Sequence, residues 1–272
     1  MEKRKRLVIG ILVCIIICLL IFIGLLVGGV INLGNNTNES TEDINDSGKV
    51  TENSDFVITY KEEKEEFKNS NDKVVIINKR NLPIINSNSN KETADKIVNY
   101  LMTISDNDWK KLNETSKSDA TAFPDDYNVG VTYTFSTVMN TMSIVSISYD
   151  MDGGMGGVSW LGNWGYNFNK TNGDVLEFSD VIVDSSTSNN LYDYIINDIE
   201  TNYENLWNDE VSGDWKNIVK DNMFKLGNWL FTDKGITVTF DKYLLGPGAI
   251  GVVKVDIPYS ELNKYLKDEY KG

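Results

Sequence analysis

The chain has 272 residues, 41% of them hydrophobic, which is enough to bury a substantial core in one domain or two small ones. It carries 26 basic and 40 acidic residues and no histidine, for a net charge of −14. The acid excess argues against a nucleic-acid partner, which needs a basic face. The missing imidazole excludes a Ser-His-Asp triad, a Cys-His pair and histidine zinc ligands.

Lys3, Arg4, Lys5 and Arg6 open the chain, and residues 7–33 contain no charge at all. A bilayer span needs about 20 apolar residues, so this run reads as a transmembrane helix. It is long for a signal-peptide core, and no alanine occurs before Ala94 to make a small-residue cleavage site. Basic residues on its N-terminal side place residues 1–6 in the cytoplasm and the rest outside the cell. Both cysteines, Cys14 and Cys18, lie in this run, so the remainder has no thiol. Beyond residue 34 the chain holds 22 basic and 39 acidic residues.

Residues 34–72 are polar and acidic and are expected to form a flexible stalk, because they bury too little apolar surface to offset ordering. Within them the charged run 61–68, KEEKEEFK, reads as a solvated helix or more stalk. Folded structure is expected from Lys73, with a short strand at 74–77. Ser89 and Glu92 have the spacing of a capping box, and Ile97, Leu101, Ile104 and Leu112 recur at helical spacing, giving a helix to about Lys111. Period-2 alternation at 129–135 and again at 145–151 predicts an antiparallel hairpin. Asn172-Gly173 offers a tight turn, and Leu191, Tyr194, Ile195, Ile199 and Leu206 mark a second long helix over 189–207. Trp229 and Phe231 should pair across Asp233–Gly235 with Ile236, Val238 and Phe240. Val253, Val255 and Ile257 make the closing strand, and Pro258 with Ser260 starts a last short helix. This order predicts an α+β fold, a mainly antiparallel sheet packed by two long helices, with modules at 73–150 and 151–272.

Few residues carry chemistry. The glycine cluster at 153–157 lacks the frame of a phosphate loop and reads as a turn between strands. Asp150, Asp152, Asn172 and Asp174 do not match a calcium loop and read as turn residues. Trp160 and Trp164, in a glycine-rich stretch, are the tryptophans least explained by core packing, and their flat faces suit sugars or peptides. The corner from Tyr243 through Leu244 to Gly246 and Pro247 is the other candidate contact. No catalytic residue, metal site or cofactor is expected.

The glycine cluster, Asn167-Phe168-Asn169, Thr171 with Gly173, the Phe231, Asp233 and Gly235 triplet, Tyr243, Gly246-Pro247, Gly251 and the run Ile257–Leu262 together resemble the extracytoplasmic region of the RsiV-type anti-sigma-V factors of Gram-positive bacteria. The same two-module region occurs in some peptidoglycan deacetylases. The resemblance implies a single α+β ectodomain, and a basic protein partner such as lysozyme. Met155 stands where that family commonly has a histidine, and six residues leave little room for a sigma-binding segment. The expected function is thus a membrane-anchored extracellular binding or sensing domain. A cell-wall glycan enzyme using paired carboxylates is the alternative, and a non-catalytic structural ectodomain the third reading.

Overall fold

Alternation along Phe56, Ile58 and Tyr60 begins the first long strand, well before the residue where folded structure is expected. The computed structural model describes residues 49–50, 55–155, 158–209 and 213–272. The cytoplasmic tail, the apolar run 7–33 and the first part of the stalk lie outside the described residues. Among the described residues no helix is long and apolar enough to cross a membrane. The chain from Asn45 to Gly272 is one compact unit of mixed α+β structure with five helices among the described residues.

The large sheet runs β2 (Phe56–Lys68), β3 (Val74–Ser87), β4 (Gly130–Asn140), β5 (Ile144–Met155), β6 (Val158–Asn169) in that spatial order. All neighbours are antiparallel except β3 and β4, and a short β1 (Lys49–Val50) that adds to β4 in parallel. The expected hairpin is present, with Phe135 opposite Tyr149 and Thr137 opposite Ile147. The division expected at 150/151 falls inside β5, so the sheet continues across it.

Residues 61–68 are therefore strand, neither stalk nor helix. β2 is an edge strand, so its polar middle needs no apolar alternation, and charge there deters edge-to-edge pairing. Lys61 pairs with Glu63 at 3.2 Å and Lys64 with Glu66 at 2.9 Å along the strand. The buried Arg80 of β3 binds Glu63 at 3.0 Å and Asp106 at 2.8 Å, fixing the register of that charged stretch.

Helix α1 (Lys91–Ala120) covers one face of the sheet. It runs past Lys111 because Leu112, Ser116 and Ala120 continue its buried stripe. The small Ser116 lets β3 approach, and Asn78 donates to it at 2.8 Å. The cap is Asn90, whose side chain accepts from the Thr93 amide, whereas the Ser89 hydroxyl is directed to Asp55 instead.

After α2 (Phe178–Val181), helix α3 (Thr187–Asn202) buries Leu191, Ile195, Ile196 and Ile199. It ends short of 207 because Tyr203 leaves the helix to serve an edge. Its hydroxyl accepts from the Lys254 amide at 3.1 Å and donates to the Lys254 carbonyl at 3.2 Å. Lys254 belongs to β11 (Val253–Pro258), the outer strand of a second sheet ordered β11, β10 (Gly235–Phe240), β9 (Trp229–Phe231). The expected pairs Ile236–Phe231, Val238–Trp229, Ile236–Ile257 and Val238–Val255 are all formed. A small β7–β8 pair (Asn208–Asp209 and Gly213–Asp214) precedes α4 (Trp215–Asn222), and α5 (Tyr259–Leu262) with a 3-10 turn at Asp268–Tyr270 closes the order. Apolar side chains of α3, α4, β9, β10 and β11 form one core, and those of α1 with the large sheet form another.

Candidate functional site

Strand β6 positions the site because alternate residues serve different neighbours. Trp160, Trp164, Tyr166 and Phe168 pack with the α1 core, while Asn163 and Asn167 reach the second sheet. Gly162, between the two tryptophans, makes room for one of them. A Cβ there would sit 2.3 Å from the Trp164 ring, so the indole lies over the glycine. The Trp164 ring NH then donates to Asp241 Oδ2 at 3.1 Å, just beyond the end of β10. Beside it, the Thr239 hydroxyl donates to Asn163 Oδ1 at 3.2 Å, and the Asn163 side-chain amide donates to Asp150.

This contact joins the two regions singled out in the sequence. Lys242, next to Asp241, reaches the backbone oxygen and hydroxyl of Ser159 at 2.5 and 2.8 Å, beside Trp160. Its ammonium also lies 5.0 Å over the Tyr243 ring. Tyr243 is 56% exposed, with φ of 71°, and its ring lies against Gly248. Its carbonyl accepts from the Trp207 ring NH at 3.2 Å, which fixes the corner from the other side. Leu244 packs on the core, Gly246 is buried and Pro247 is half-buried, so these three shape the turn and Tyr243 presents it. Trp229 and Trp215 are buried in the second core.

The electrostatics single out two carboxyls that the sequence does not. Burial pushes Asp241 above the usual aspartate value, against hydrogen bonds from Trp164 and the Asn163 backbone. Its Oδ1 is buried and accepts no hydrogen bond. Burial also pushes up Asp108 on α1, against the Tyr149 hydroxyl and Lys111. Tyr149 is fully buried, and Ser105 and Asp108 are the polar neighbours of its hydroxyl, though neither bonds it in good geometry. Burial raises Tyr133 to about 12, with Asp108 adding to the effect. Tyr166 is pushed up by burial, and both Asp108 and Asp241 contribute to its field. The two acids thus flank one aromatic wall. Asp241 follows a fully buried strand end, but one acid among 39 carries no signal of its own in the sequence.

Among the described residues no group of three His, Cys, Asp or Glu is placed to hold a metal ion. Asp174, considered as an oxygen ligand, pairs with Lys96 at 2.5 Å. Of the glycine cluster, Gly153 and Gly154 lie in β5 and the connection at 156–157 lies outside the described residues.

Residues 179–260 match DUF3298, a family described as a protein of unknown function. The DUF3298 match spans α3, α4, β9, β10 and β11, and so includes Asp241 and the Tyr243 corner. A crystal structure of a DUF3298 family member from Bacteroides fragilis is similar to this chain with a TM-score of 0.54 at 11% identity. It covers 79% of this chain and 95% of that one, so the shared fold extends over the large sheet as well. A DUF3298 family protein from Pseudomonas aeruginosa gives a TM-score of 0.47 at 13% identity, covering 80% of this chain and 96% of that one. No curated protein matches the chain.

Proposed function

We propose that the chain is a single-pass membrane protein of a Gram-positive cell envelope whose ectodomain, of the RsiV type, binds a basic protein. Residues 7–33 are its anchor, with residues 1–6 in the cytoplasm and the DUF3298 region outside. The observation that carries the binding reading is the exposed Tyr243 corner. Tyr243 is 56% exposed, and the corner is held by the Trp207 ring NH on its carbonyl and by Lys242 on Ser159. Its ring is a contact for a lysine or arginine of a partner, and the acid excess of the ectodomain steers such a partner in. Lysozyme is the basic protein that the resemblance suggests.

Titrating the full chain in detergent with lysozyme at low and high salt tests this by calorimetry. Binding is expected at low salt and weaker at high salt, because screening shortens the reach of the charges. Tyr243→Ala is expected to lower affinity about tenfold, roughly 1.4 kcal/mol. Absence of binding by the unmodified chain at low salt removes lysozyme as the partner.

A second reading is favoured by the pair Asp108 and Asp241, both held above the usual aspartate value by burial. A raised carboxyl serves as a general acid, which is the one requirement of glycoside hydrolysis that these two acids meet. Incubating the chain with peptidoglycan should then release soluble sugar, and either Asp108→Asn or Asp241→Asn should abolish the release. Release that persists in both variants rejects this pair.

A further inference from the structure

A buried lysine, a buried asparagine and an aspartate meet where the chain enters β2. Lys170, just after β6, is 5% exposed, and Asn140, the last residue of β4, is 2% exposed. The Lys170 ammonium donates to Asn140 Oδ1 at 3.1 Å and to the Thr141 carbonyl at 2.6 Å. The Asn140 side-chain amide donates to the Phe56 carbonyl at 2.9 Å, and that bond turns Oδ1 toward the lysine. The amide carbon Cγ is therefore one bond from an atom that Nζ already touches. Nζ also sits 4.6 Å over the Phe56 ring and 3.7 Å from Asp55 Oδ1. Asp55 is held by the hydroxyls of Ser87, at 2.9 Å, and Ser89, and its side chain is 41% exposed.

Each group has the chemistry that exchange at an amide requires. An amine attacks only when unprotonated, and burial pulls Lys170 below the usual lysine value, against the opposing effect of Asp55. The Ser89 hydroxyl bond holds Asp55 below the usual aspartate value, so a carboxylate stands ready to accept the ammonium proton. Amides resist amines in water. Fixing the two in contact makes the attack intramolecular, which is worth effective molarities of about 10⁵–10⁸ M in well-oriented cases.

We propose that Lys170 and Asn140 join in an intramolecular isopeptide bond, with Asp55 as the proton relay. Asp55 takes one proton from the Lys170 ammonium, and the freed lone pair of Nζ attacks Asn140 Cγ. The Nζ–Cγ bond forms and the Cγ–Nδ2 bond breaks. Nδ2 keeps its two hydrogens, gains a third from Nζ and a fourth from Asp55, and leaves as ammonium past the exposed side of Asp55. Nζ keeps one hydrogen, Asp55 returns to the carboxylate, and nothing is oxidised or reduced. The bond closes β5 and β6 into one covalent loop. Asn140 also stands opposite Val50 of β1. On the reading that residues 7–33 are an anchor, the bond reinforces the place where a pull from the membrane enters the domain.

The intact mass of the full chain, purified in detergent and then denatured, tests the bond without any partner, so it stands or falls independently of lysozyme binding. The chain is expected to be lighter than its sequence by one ammonia, and Lys170→Arg and Asn140→Ala to carry their full masses. Proteolysis at Asp150 and Asp152 should leave the peptide with Asn140 joined to the peptide with Lys170. A chain at full mass overturns the bond. A loss that persists in Lys170→Arg overturns it too, because a succinimide, as at Asn172-Gly173, sheds the same ammonia. Asp55→Ala is expected to keep its ammonia, and loss in that variant overturns the relay. Should a variant fail to fold, the joined or separate peptides of the unmodified chain decide.

Discussion

Asn167→Ala is expected to cost about 3–5 kcal/mol, close to the whole stability of an ordinary domain. Asn167 is 1% exposed and joins the two sheets. Its side-chain amide donates to the Trp229 carbonyl at 3.2 Å, and its Oδ1 accepts from the Phe231 amide at 2.9 Å and the Ser146 hydroxyl at 2.8 Å. The asparagine thus supplies both backbone groups of β9 with the partners a neighbouring strand would offer. Truncation leaves three polar groups unpaired where water does not reach, each worth about 1–3 kcal/mol. Urea unfolding measures the loss, and Ser146→Ala, which removes one bond, is expected to cost only about 1 kcal/mol. A loss below about 1 kcal/mol for Asn167→Ala would show that water replaces these contacts.

Gly235→Ala should be of similar size, on the order of 3–5 kcal/mol, for a different reason. Gly235 has φ of 155° at the start of β10, and a Cβ there would lie 2.0 Å from the Ile257 carbonyl oxygen and 2.9 Å from Pro258 Cα. These are backbone atoms of β11, so no rotamer change relieves the clash. The β10–β11 pairing from Gly235–Pro258 to Phe240–Val253 has to shift to admit a methyl group. Gly251→Ala is the control, since φ is 76° but nothing lies within 4 Å of its would-be Cβ. That variant pays the left-handed backbone cost alone, roughly 1–2 kcal/mol. Thermal unfolding separates the two, at about 2–4 °C per kcal/mol for a chain of this size. Equal shifts for both glycines would mean that β11 yields easily.

Both residues belong to the motifs that carry the family resemblance, and both act by closing the fold rather than by touching a ligand. Gly235 shows why much of the run from Phe231 to Leu262 is distinctive through closing the fold, its exposed contact being confined to the Tyr243 corner. Close approach of backbone to backbone and a single bridging asparagine restrict the sequence as tightly as chemistry does.

The period-2 hairpin over β4 and β5, the β9–β10–β11 pairing and the helix stripes of α1 and α3 were legible because each rests on local spacing. A strand or helix with one buried face writes that face into the residues two or four apart. The edge strand β2 was not legible, since its centre is solvated and its partners are Arg80 and the backbone of β3. The candidate site was legible only in halves. Trp164 and Tyr243 each stood out by composition, but the contact that unites them, Trp164 to Asp241, spans 77 residues.

By itself, then, the sequence determined the class of fold, the apolar run before it, the acid excess, and the exclusion of histidine chemistry. Those are properties of composition and of neighbours along the chain. The tertiary structure alone decided that 56–68 is strand, that Asp108 and Asp241 flank one aromatic wall, and that Lys170 fastens the entry of β2. Each of these depends on burying a polar group against residues far away in sequence. A carboxylate or ammonium reads the same in the chain whether it ends in water or beneath a ring, and only packing distinguishes the two.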